Sequence, residues 1–172
     1  MAEIKLRVGA EDFDPGAEIA ALHQGGGEIG AVASFIGLVR GEGDEVRAMT
    51  LEHYPGMTEK QIGALIEQAA TRWALDRIRV IHRVGRLVPG DRIVFVGVSS
   101  RHRGEAFAAC EFLIDWLKTR APFWKLEQGD NGDSWVTARE TDEERARRWR
   151  LEERNDDPEG TGEAPPRSRD DA

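Results

Sequence analysis

Ile93-Val94-Phe95-Val96-Gly97-Val98-Ser99-Ser100-Arg101-His102-Arg103-Gly104 is the run on which the fold turns. Ile93 to Val98 is almost wholly apolar, the pattern of a central strand covered on both faces. A polar, basic hand-over follows. From about Glu105 to Thr119, Phe107, Cys110, Ile114 and Leu117 then fall at helical spacing and predict a helix that buries that stripe. Pro122 ends it, because proline pushes its predecessor out of helical geometry. Phe123 to Glu127 reads as extended again.

Upstream, Ile4 to Val8 alternates apolar and charged residues and predicts an edge strand. Gln24-Gly25-Gly26-Gly27 is a loop releasing a strand from Ile29 to Val39, and Val46 to Tyr54 is another. Pro55-Gly56 turns the chain, and Thr58 with Gln61 has the spacing of a capping box. Ile62, Leu65, Ile66, Ala69 and Trp73 form the buried face of the helix that follows. Arg77 to Val84 alternates and, through the Pro89-Gly90 turn, predicts a hairpin with the central strand. Asp130-Asn131-Gly132-Asp133 predicts the turn between Phe123–Glu127 and a strand from Ser134 to Arg139. The expectation is one α+β domain over residues 1–150, with an antiparallel sheet and two main helices.

At 172 residues the chain can bury one good core. Its net charge is −8, and residues 151–172 hold eight acidic side chains against three arginines, so the acidity is concentrated in a Pro- and Gly-rich segment expected to be disordered. An acidic surface gains nothing electrostatically from nucleic acid or anionic membrane, so neither is an expected partner. No apolar run reaches membrane-spanning length and the N-terminus has no leader pattern, which predicts a cytoplasmic protein. Cys110 is the lone cysteine, with small apolar neighbours that predict an inert buried thiol. His53 and His82 lie in strand patterns with no partner at ligand spacing, so they read as structural; no metal and no cofactor is expected.

Three constellations could carry chemistry. Arg101-His102-Arg103 stands where a strand hands over to a helix N-terminus; backbone N–H groups, the helix dipole and cationic side chains converge there on a site for phosphate or carboxylate, with Ser99 and Ser100 as further donors. A solvated basic loop is the alternative. Lys118 and Lys125 flank the proline turn in an apolar, aromatic setting in which partial burial can make an amine a nucleophile, acid or base. Lys118 also fits a plain dipole-stabilising role, and Lys125 a charge on a strand face. Arg40, at the end of Phe35-Ile36-Gly37-Leu38-Val39-Arg40, can grip an anion bidentately, although its glycines match no nucleotide-loop pattern. A helix of some fifteen residues holds its ends about 20 Å apart, so His102-Arg103 and the lysines can serve one ligand only if two chains meet.

Phe35–Arg40, Leu51-Glu52-His53-Tyr54-Pro55-Gly56-Met57-Thr58-Glu59-Lys60, Ile81-His82-Arg83-Val84-Gly85, Pro89-Gly90-Asp91, His102-Arg103 and Asp115 through Glu127 occur in one order that resembles the molybdopterin synthase catalytic (large) subunit family, over roughly residues 1–150. The resemblance implies an α/β hammerhead-type fold. It implies a sulfurtransferase of molybdenum cofactor biosynthesis that inserts two sulfurs, as a dithiolene, into cyclic pyranopterin monophosphate to give molybdopterin. The sulfur would come from the C-terminal Gly-Gly thiocarboxylate of a small ubiquitin-like subunit, in a heterotetramer built on a homodimer of the large chain. By position, Lys118 and Lys125 would be the catalytic pair, with Lys118 nearest the entering tail. Leu38, Val39, Arg40, His102, Arg103, Leu126, Glu127 and Arg139 would bind substrate, the His-Arg pair coming from the neighbouring large subunit. The chain departs from the family at Leu126, where a basic residue is common, and at Gly41-Glu42-Gly43-Asp44, where relatives carry asparagine.

Two other readings fit the residues. A non-catalytic module that docks a ubiquitin-like tail needs the groove but not two amines. A Schiff-base enzyme needs one lysine and a carbonyl pocket, for which nothing else in the chain provides.

Overall fold

The computed structural model describes residues 1–41, 47–129, 132–136, 144–145 and 147–149. The central run forms β6 (Arg92–Ser100), which lies between β4 (Leu75–Arg83) and β2 (Ala31–Leu38) and pairs antiparallel with both. β1 (Glu3–Gly9) adds in parallel to the outer side of β4, as the edge strand its alternation predicts. A second sheet, antiparallel throughout, has the order β5 (Gly85–Leu87), β3 (Ala48–His53), β7 (Phe123–Gly129), β8 (Gly132–Val136).

Strand alternation divides the first sheet into two faces. Ile78, Val80, Val96 and Val98 meet Ile62, Ile66 and Ala69 of α2 (Met57–Arg72) and the buried stripe of α3 (Arg103–Thr119) in the main core. Ile81 and Phe95 point the other way, onto Phe13 and onto Leu22 of α1 (Pro15–His23). Each such large apolar side chain contributes about 1.5–3 kcal/mol on burial. Trp149 also belongs to the main core: its indole N–H donates to the buried Asp115 carboxylate at 2.8 Å, and its ring meets Trp73 and Phe112 edge-on.

Several expectations are corrected. The strands divide between two sheets, and among the described residues α1 stands beside the two main helices expected. Asp14 caps α1 through Gly16 N–H at 2.8 Å and Pro15 opens it. Only Ile19 and Leu22 turn inward, too few to register as a period. β4 and β6 do pair antiparallel, but the chain between them visits the second sheet as β5, so they are not a simple hairpin. The box at the start of α2 is closed by Glu59, whose carboxylate accepts from Gly56 N–H at 2.6 Å, and not by Thr58 with Gln61. Phe107 is 66% exposed rather than buried, because Ala106, Ala109 and Cys110 hold the inward positions of that turn. The turn residues Asp130 and Asn131, the end of the predicted Ser134–Arg139 strand and the segment 151–172 lie outside the described residues.

Gly97 is what allows α1 to close on β6: a Cβ there would come within 2.5 Å of Leu22 Cδ1 and 2.8 Å of the Phe95 ring, both fully buried. Gly97→Ala is expected to lower stability by about 1–3 kcal/mol through overpacking, read as a lower unfolding midpoint in urea.

Candidate active site

α3 ends by a tightly specified turn. Arg120 N–H donates to Trp116 C=O at 2.8 Å, the Arg120 guanidinium lies 4.2 Å from the Trp116 ring centroid, and Phe123 N–H donates to Ala121 C=O at 2.8 Å. Lys118 stands in the last helical turn. β7 leaves the turn paired with β3, so Phe123 faces His53 and Lys125 faces Leu51 across the ladder. Alternation puts Phe123, Lys125 and Glu127 on one face, and Trp124 and Leu126 on the other.

Both lysines are exposed in this chain, against the partial burial predicted for them. Trp116 and Leu117 turn into the core while the next residue turns out. Trp124 and Leu126, the apolar neighbours of Lys125 in sequence, lie on the opposite face of their strand.

Beside Lys125, the His82 ring stacks on Phe123 with centroids 3.8 Å apart and planes 14° from parallel. Its Nδ1 is 2.9 Å from Arg83 C=O, an arrangement in which the Nδ1 proton is donated to that carbonyl. Burial pushes its pKa down to about 4; the carbonyl bond opposes this, and the charges of Lys125 and His53 add to the lowering. His53 Nε2 lies 3.7 Å from Glu59 Oε1. Both histidines are therefore held by the fold.

Arg40 and Leu38 are exposed at the end of β2, on either side of buried Val39. Val39 packs with Met49, Leu51 and Leu87, donates its N–H to Asp91 C=O at 2.8 Å and accepts from Gly90 N–H at 2.8 Å. Its side chain and backbone are thus taken up by the fold, and they fix Arg40 to the same small cluster that underlies Lys125 through Leu51. Leu126 and Glu127 are half-buried on opposite faces of β7. Arg139 and residues 42–44 lie outside the described residues.

At the far end of α3, Arg101, His102 and Arg103 are exposed, with His102 as N-cap. The expected serine donors are absent from this surface: Ser99 and Ser100 are fully buried, and the Ser100 hydroxyl bonds Ala74 C=O at 2.8 Å and Glu105 Oε2 at 2.9 Å. Gly30 lets the loop pass, since a Cβ there would collide with Arg101 C=O. The 17 residues of α3 place this basic end about 25 Å from Lys118. Lys118 stands at the C-terminal end of α3, with Lys125 and Glu127 on one face of β7 beyond the turn, while His102 and Arg103 stand at the other end of the helix.

The MoaE protein family matches residues 8–120 of this chain. The chain belongs to the MoaE family. It is 58% identical over 148 residues to the molybdopterin synthase catalytic subunit of Ralstonia nicotianae, covering 85% of this chain and 84% of that one. It is 54% identical over 151 residues to the same subunit of Escherichia coli, covering 87% and 100%. The solved structure of the molybdopterin biosynthesis MoaE protein from Burkholderia ambifaria superposes with a TM-score of 0.72 at 51% identity, covering 87% of this chain and 98% of that one. The α+β expectation holds at the level of this MoaE fold.

Among the described residues of this MoaE chain no group of three or more His, Cys, Asp or Glu side chains could hold a metal, and no helix is long and apolar enough to cross a membrane. Burial pushes the Cys110 thiol up to about 12, so it is no nucleophile at neutral pH. What sequence reasoning missed lies around the lysine turn: the His82–Phe123 stack and the hydroxyl of Thr58, which reaches Pro122 C=O at 3.4 Å. Neither has a local signal, because both join residues distant in sequence.

The His82 pKa has a stability consequence with a definite sign. It falls from 6.5 to about 4 on folding, so between those values the unfolded chain binds the extra proton and acid favours unfolding. Stability contributed by the neutral ring is complete above pH 6.5 and is lost as pH falls through 4, amounting to about 3 kcal/mol. Urea unfolding of His82→Gln is expected to show a distinctly shallower loss of stability between pH 7 and 4.5 than the wild-type chain.

Proposed function

We propose that this chain acts in the cytoplasm as the catalytic subunit of a molybdopterin synthase, with Lys118 and Lys125 as its catalytic pair. The substrate is cyclic pyranopterin monophosphate and the product is molybdopterin, its two new sulfurs forming the dithiolene. A small ubiquitin-like subunit delivers each sulfur as the thiocarboxylate of its C-terminal Gly-Gly tail. In each transfer the thiocarboxylate sulfur displaces an oxygen from a substrate carbon, so that a C–S bond forms as a C–O bond breaks and the departing oxygen takes up a proton. Substrate and tail are then joined through an acyl–sulfur link. Water cleaves the acyl–sulfur bond, which returns the tail as a carboxylate and leaves the sulfur on the substrate. Negative charge develops on the acyl oxygen in that step, and a cationic amine within reach stabilises it and supplies a proton to the leaving group. Lys118, at the helix end, serves the tail; Lys125, on the strand, serves the substrate.

The observation that supports a shared site is the distribution of cations along α3. Lys118 and Lys125 flank one turn, while His102 and Arg103 stand about 25 Å away at the other end of the same helix. The cyclic phosphate of the substrate calls for cations beside the reacting carbons. A homodimer within a heterotetramer meets that need by bringing His102 and Arg103 of one chain to the lysines of the other. Arg40 contributes from the same chain as the lysines, as do Leu38, Leu126 and Glu127. The alternative of a non-catalytic docking module needs the groove but gives the two amines no part beyond helix-dipole and surface-charge roles.

With precursor and thiocarboxylated small subunit supplied, Lys118→Ala is expected to lower dithiolene formation by about 100-fold or more while the small subunit still binds, and Lys125→Ala by at least about tenfold. Mixed dimers give the sharper test. Lys118→Ala and His102→Ala chains, each inactive alone, regenerate one intact site when they pair across the dimer, so mixing is expected to restore a substantial fraction of wild-type activity. No recovery on mixing would place the whole site within one chain.

A further inference from the structure

The turn between Lys118 and Lys125 is also the joint between the two halves of the fold. α3 packs on the first sheet, whereas β7 belongs to the second, so any drift at residues 120–122 moves one lysine relative to the other. Pro122 has no N–H with which to anchor itself. Two distant groups hold the joint. His82, from the first sheet, stacks on Phe123. Thr58, fully buried near the start of α2, holds the other side: its hydroxyl accepts from Tyr54 N–H at 3.1 Å and lies 3.4 Å from Pro122 C=O, to which it donates. One oxygen therefore links the β3–α2 connection, α2 and the proline turn. Thr58 N–H, donating to Tyr54 C=O at 2.9 Å, fixes where that oxygen sits.

We propose that Thr58 is a positioning residue for the two lysines: its hydroxyl ties α2 to the proline turn and thereby sets the separation of Lys118 and Lys125. The assignment rests on the catalytic reading of those lysines given above. A helix-capping role would be satisfied by Glu59, which already closes on Gly56 N–H. Thr58 does not face solvent, so it acts through the turn and not on substrate.

Thr58→Val preserves shape and removes the hydroxyl; Thr58→Ser preserves the hydroxyl and removes a methyl. In the complex with thiocarboxylated small subunit, Thr58→Val is expected to lower kcat for dithiolene formation about tenfold, because small misplacements of reacting groups are costly in rate. KM for the precursor and Kd for the small subunit should stay within about twofold of wild type, and Thr58→Ser should recover most of kcat. Hydrogen exchange across residues 119–125 should quicken in Thr58→Val and return toward wild type in Thr58→Ser. Unchanged exchange would show that the tie does not exist. Quickened exchange with wild-type kcat would show that the tie does not position the lysines. A kcat loss that serine fails to rescue would also overturn the proposal. Should the valine variant fold poorly, Thr58→Ala is read by the same two measurements. Lys118→Ala run alongside separates the two levels: a wild-type rate in that variant defeats the catalytic reading itself, whatever Thr58 does.

Discussion

The rigidity and burial of α3 constrain everything else in this molecule. Ala106, Ala109, Cys110 and the unbroken run Phe112 to Leu117 are buried, so the helix can neither slide nor rotate against the first sheet without opening the main core. Its two ends are thereby fixed in space. One presents His102 and Arg103 and the other presents Lys118, and side-chain movement cannot bridge the length between them. Asp115 adds a second fixed point near the lysine end. Its buried carboxylate takes the Trp149 N–H at 2.8 Å and the Arg148 guanidinium at 3.3 Å, which draws the chain beyond β8 back onto the helix.

The parts of the fold legible in sequence were those whose signal is local. The apolar run of β6, the spacing along α3 and the helix-ending Pro122 each carry their own physics, and the observed elements match them to within a few residues. What failed was long-range or face-dependent. Trp124 and Leu126 flank Lys125 in sequence, yet a strand sends them to the opposite face, and its neighbours in space include residues of β3, β4 and β8. Phe107 shares helical spacing with Cys110, Ile114 and Leu117, yet the smaller residues around it hold the inward positions. Thr58 has the spacing of a cap that Glu59 supplies, and its bond to Pro122 spans 64 residues of chain. The lysine turn as a site was visible because Pro122 separates two amines within eight residues; what holds that turn was not.

Exposure of the two amines also bears on how such a site can work. Both amines stand exposed to water in this chain on its own. Electrostatic stabilisation of a developing oxyanion is strongest where water is excluded. On the proposed reading, the entering carrier tail covers Lys118 and the neighbouring large subunit covers the substrate side, so the amines meet a low-dielectric environment only in the assembled enzyme. An acyl–sulfur intermediate would then form only where both partners shield it. On that reading the proline turn is more than a connector: Lys118 and Lys125 stand on its two sides, so its geometry sets where both amines lie before any partner arrives.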